Sequence, residues 1–148
     1  MRLRLTMATV FTLASPALAA EEHGRPTAIM VSPIHEAQVV HGDDGLDHVE
    51  YELLIVSVFS EPVTLSNVTV LDSAGKELLR VDGGALAAAT QTLFSKTPSP
   101  VIPPSAAVSV DVDLILPPGA VPERVTHRIA YTLKGRLAAC ADDQLPGG

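Results

Sequence analysis

Residues 47–83, DHVEYELLIVSVFSEPVTLSNVTVLDSAGKELLRVDG, constrain the fold more than any other stretch of this chain. Val49, Tyr51, Leu53 and Ile55 alternate with Glu50 and Glu52. A period of two with one polar side predicts a strand buried on one face. Leu54, Val56 and Val58 make its second half apolar on both faces, as in a central strand covered at one end. After Glu61-Pro62, Val63 and Leu65 share one phase, whereas Val68 and Val70 fall on the other. The slip at Ser66-Asn67 predicts a β-bulge, in which one extra residue re-phases the strand. Asp72-Ser73-Ala74-Gly75 is a hairpin turn with glycine available for positive φ, and residues 77–81 return as a short strand.

The same grammar runs through the rest of the chain. Residues 27–31 form a short apolar strand ending at Ser32-Pro33. Residues 34–47 are polar, with turn composition at 41–45. Residues 85–89 form a helical turn or cross between sheets, residues 92–94 suit a short strand, and residues 95–105 form a loop with four prolines. Val108, Val110, Val112, Leu114 and Leu116 alternate with Ser109, Asp111 and Asp113, and residues 124–133 supply the last strand. No periodicity is visible in residues 135–148, which reads as a disordered tail. About seven short strands with no long helix predict an all-β fold, an antiparallel β-sandwich of the immunoglobulin/fibronectin type III kind, over residues 21–134.

Residues 1–20 read as a signal peptide. Arg2 and Arg4 precede an apolar run over 5–14, and Ala17-Leu18-Ala19 supplies the small-residue cleavage pattern. That run falls far short of the roughly 20 residues a membrane span needs. The expectation is therefore a secreted or periplasmic protein with no membrane span after cleavage. The remaining 128 residues carry 8 basic and 17 acidic side chains, net −9 with neutral histidines. Such a chain is repelled by nucleic acid and anionic lipid. Tryptophan is absent and aromatics make up 3%, too little for a sugar-stacking platform. Cys140 is the single cysteine, so no internal disulfide can form.

Three segments, HVEYELLIVSVFSEPVTL (48–65), VTVLDSAGKELLRVDGGALAAAT (68–90) and VDLILPPGAVPERVTHRIAYTL (112–133), together resemble a known module. It is the N-terminal β-sandwich that precedes the catalytic domain in some bacterial secreted lysostaphin-type peptidoglycan metalloendopeptidases. The resemblance does not extend to the catalytic apparatus. The peptidase binds zinc through HxxxD and HxH motifs, and none of His23, His35, His41, His48 or His127 stands four residues before an aspartate or two before another histidine. What the resemblance implies is a non-enzymatic exported module, accessory to or positioned on the cell wall. The alternative it leaves is a truncated remnant of such a peptidase.

The richest polar cluster offers a further alternative, a metal-binding protein. His35, His41, Asp43 and His48 are candidate ligands, since neutral imidazoles and carboxylates suit zinc or copper. The HExxxxH spacing is not the HExxH of zincins, and Pro33 and Gly42 argue against a helix. The 43–47 run lacks the alternating ligands of a calcium loop. His127 falls on the apolar phase of its strand and reads as a core histidine bonded to backbone. No serine sits on a nucleophile elbow. Catalytic residues and organic cofactors are expected to be none, and the partner, beyond an envelope component or another protein, is not encoded in any motif.

Overall fold

A computed structural model describes residues 29–93, 95 and 97–146, backbone only for 139–146. The expected signal peptide, residues 1–20, lies outside the described residues. Ten strands and one short helix follow in the order β1 (Ile29–Pro33), β2 (Gln38–His41), β3 (Asp47–Ser57), β4 (Val63–Asp72), β5 (Glu77–Asp82), α1 (Gly83–Ala89), β6 (Thr90–Thr92), β7 (Val101–Ile102), β8 (Ala107–Leu116), β9 (Arg124–Leu133) and β10 (Arg136–Pro146). They build two antiparallel sheets, β1-β3-β8-β6 with β2 on β3, and β10-β9-β4-β5 with β7 on β4. The all-β sandwich anticipated from the strand pattern is the fold.

Alternation decides which side chains form the core. From the first sheet, Val49, Tyr51, Leu53, Ile55, Val108, Val110, Val112 and Leu114 point inward; from the second, Val63, Leu65, Val68, Val70, Ile129 and Tyr131. Ile29, Leu86, Ile102 and Val125 complete the cluster. Among the described residues no buried side-chain polar atom lacks a hydrogen-bond partner.

The β4–β9 register shifts between Leu65 and Asn67, which places Ser66 as the extra residue of the expected bulge. At the β4–β5 turn the Asp72 carboxylate accepts the amides of Ala74 and Lys76, each at 2.9 Å. Gly75 supplies the positive φ, +79°, that this turn requires. Helix α1 carries the chain from the second sheet to the first, so both readings of residues 85–89 apply. Its alanines favour helix, and Leu86, 1% exposed, is its one buried residue.

One expectation is corrected. Residues 136–146 are not an unstructured tail but β10, paired along β9 from Arg136↔Leu133 to Pro146↔Arg124, with an irregularity between Asp142 and Leu145. The missing signal has a physical cause, because backbone pairing with a neighbouring strand needs no hydrophobic period of its own. Cys140 lies on this strand opposite Ile129. At the far edge of the other sheet, β6 pairs only with Val108, Ser109 and Val110. Among the described residues, no strand pairs with the rest of β8 on that side.

Candidate metal centre

The outer face of the β3–β8 pair holds the site. Since inward positions on β3 are Asp47, Val49 and Tyr51, the intervening His48, Glu50 and Glu52 face outward. The register sets Glu50 opposite Asp113 and Glu52 opposite Asp111. Two like-charged pairs thus stand side by side, an arrangement that costs stability in the absence of a cation. A groove of about 460 Å³ runs over them, lined by His35, Gln38, Glu50, Tyr51, Glu52, Asp111, Val112 and Asp113. Burial, then the Glu52 charge, raises the Asp111 carboxyl above the ordinary carboxylate range. Glu52→Gln therefore stabilises the protein by about 0.2–1 kcal/mol. Urea denaturation at pH 7 measures this, and an unchanged midpoint would show that the pair does not repel.

His48 joins the two acidic strands to the β2–β3 turn. Its Nδ1 lies 3.1 and 3.2 Å from the two Asp113 carboxylate oxygens, and its Nε2 lies 3.3 Å from Asp44 Oδ2. These hydrogen bonds, Asp113 first and then Asp44, raise the imidazole above its ordinary value. Asp44 is held in place by the Leu46 amide at 3.0 Å, and that bond, followed by His48, lowers its carboxyl. The turn leaves little room: a Cβ on Gly42 would meet Asp44 Oδ1 at 2.4 Å and the His48 ring at 3.1 Å. Potential ligand atoms of His48, Glu50 and Asp113 all lie within 4.8 Å of one another, close enough to share one ion.

Of the four ligands expected from sequence, only His48 belongs to this group. His35 lines the neighbouring groove, with Nδ1 2.9 Å from its neighbour's carbonyl, Glu36 O. Asp43 is exposed on the turn. His41 turns away to Asp47, Nδ1 to Oδ1 at 2.5 Å. Asp47 is buried and its other oxygen accepts the Gly119 amide at 2.8 Å. The Gly119 bond first and His41 second lower its carboxyl. Asp47 therefore ties the β2–β3 turn to the β8–β9 turn and is committed to structure. Glu50 and Asp113 were each visible as outward strand residues, but their meeting depends on which strands pair and in what register.

No family model matches the sequence, and no curated protein matches it. Among solved structures, it is similar to Northeast Structural Genomics Consortium target SoR45 (TM-score 0.47, 15% identity, covering 81% of this chain and 86% of that one).

Proposed function

We propose that this chain is an exported, non-enzymatic β-sandwich module that binds one divalent transition-metal ion on its β3–β8 face. The observation that carries this reading is the convergence of His48, Glu50 and Asp113, with ligand atoms all within 4.8 Å. One imidazole and two carboxylates form a donor set suited to zinc or copper(II). The ion would take the His48 nitrogen that faces Asp113, leaving Nε2–H to donate to Asp44. A carboxylate behind a ligating histidine fixes its tautomer and ring orientation. Three protein ligands leave further coordination positions to water or to a group on a partner. Export rests on the signal-like residues 1–20, and the non-enzymatic reading on a sequence without a serine nucleophile elbow or the HxxxD and HxH zinc motifs.

Titration calorimetry with zinc and with copper(II) tests the reading on the purified protein. One ion per chain is expected. His48→Ala and Asp113→Asn each weaken binding by at least about tenfold, Asp44→Asn by about 10–100-fold or less, and His41→Ala leaves it unchanged. Wild-type binding no tighter than about 10 μM, or equal loss in His41→Ala, would overturn the assignment. A parallel pull-down on purified peptidoglycan separates metal capture from cell-wall positioning.

A further inference from the structure

Tyr51 and His127 occupy the centre of the core and belong to opposite sheets. Tyr51 comes from β3 and His127 from β9. They are 3% and 2% exposed. Tyr51 Oη lies 2.8 Å from His127 Nε2, and the rings meet edge to face with centroids 5.5 Å apart. A neutral imidazole accepts a hydrogen bond from the phenol hydroxyl there. The sequence placed His127 in the core with a backbone partner; its partner is instead a side chain across the sandwich.

The surroundings are apolar. On β9 the flanking inward residues are Val125 and Ile129. The register partner on β4 is Val70, and Tyr51 pairs with Val112 of β8. Glu50, Glu52, Asp111 and Asp113 lie on the outer face of that sheet. Asp72, at the end of β4, gives its carboxylate to the turn amides of Ala74 and Lys76. Asp142 occupies the position opposite His127 on β10. Among the described side chains, none supplies a carboxylate within hydrogen-bond distance of the imidazole.

We propose that the Tyr51–His127 pair is an acid-sensitive latch, closed while the imidazole is neutral and released, with the two sheets loosening, when it takes up a proton. A proton on Nε2 would leave a cation in an apolar core with, among the described side chains, only a phenol oxygen to face it. Burial accordingly lowers His127 from 6.5 to about 4. The sign follows from linkage. The unfolded chain binds the proton below its ordinary value and the folded chain resists it, so stability falls as pH drops across that interval and levels off beneath it. The latch lies on the inner side of the sheet whose outer face carries the metal site, and is tested in metal-free buffer.

The folding equilibrium constant, measured by urea denaturation from pH 7 to pH 4, should fall roughly twentyfold more by pH 5 in wild type than in His127→Gln. Any change common to both proteins reports other groups, among them His48 and Asp111, whose raised values make acidification stabilising. A hydrophobic dye should bind below pH 5 to wild type more than to the variant, marking exposure of the inner faces. Parallel pH profiles would overturn the latch. Should His127→Gln not fold, NMR titration of the imidazole in the folded wild type decides alone: a value well below 6.5 supports the latch, and an ordinary one removes it.

Discussion

Deletion of Asp111 abolishes the cooperative unfolding transition, whereas deletion of Ser66 leaves a folded domain. The contrast follows from side-chain phase. On β8, Val108, Val110, Val112 and Leu114 face the core while Asp111 and Asp113 face out. Removing Asp111 shifts one half of the strand by a single position, and every side chain in that half changes face. If the C-terminal half moves, the Asp113 carboxylate enters the core. If the N-terminal half moves, Ser109 takes the inward place of Val110 and Ala107 that of Val108. Burying an unpaired carboxylate costs several kcal/mol, and each lost valine about 1.5–3 kcal/mol. Those sums rival the roughly 5–15 kcal/mol that holds a domain together. Ser66 differs because it is the extra residue of the bulge. Without it, Leu65 and Val68 keep their inward phase and β4 pairs regularly. Circular dichroism across a thermal ramp distinguishes the two deletions. A folded Asp111 deletion would mean that β8 is not held in register by its inward face.

Leu86→Ala lowers the unfolding free energy by about 2–5 kcal/mol. Leu86 is the one fully buried side chain of helix α1 and joins the cluster formed by both sheets, with Ala89 packed beside it. Alanine is the best helix former, so intrinsic helicity is preserved and the loss reports burial and cavity alone. The Thr90 hydroxyl, which donates to the Leu86 carbonyl at 2.7 Å, keeps the end of the helix in place. Urea denaturation gives the value directly. A change below about 0.5 kcal/mol would mean that neighbours close over the space and that the helix is not a plug.

The parts of this fold that show in the sequence are those in which a side chain reports its own environment. Val49, Tyr51 and Leu53 announce an inward face because Glu50 and Glu52 interrupt them. The phase slip at Ser66 announces a bulge because valines stand on both sides of it. Strand β10 shows nothing of the kind, since its place is set by backbone bonds to β9. The site was legible in its residue types and not in its membership. His41, Asp43 and His48 are neighbours in sequence, yet His41 serves Asp47, and His48 serves Asp113, sixty-five residues away. Proximity along the chain pointed to partners other than those the fold assembles, because strand pairing, not loop composition, brings His48, Glu50 and Asp113 together.

The short reach of β6 has a consequence for how these molecules behave in company. Beyond Val110, on the side away from β3, β8 offers peptide groups that no strand among the described residues satisfies, and such an edge is a template on which another chain can add itself. Two copies meeting along it in antiparallel fashion would bring Asp111 and Asp113 of each against those of the other. Repulsion between four carboxylates keeps the edges apart at low salt and weakens as ions screen it. The acidic face is thus also a guard against edge-to-edge pairing of two copies, placed on the stretch of sheet that β6 leaves open.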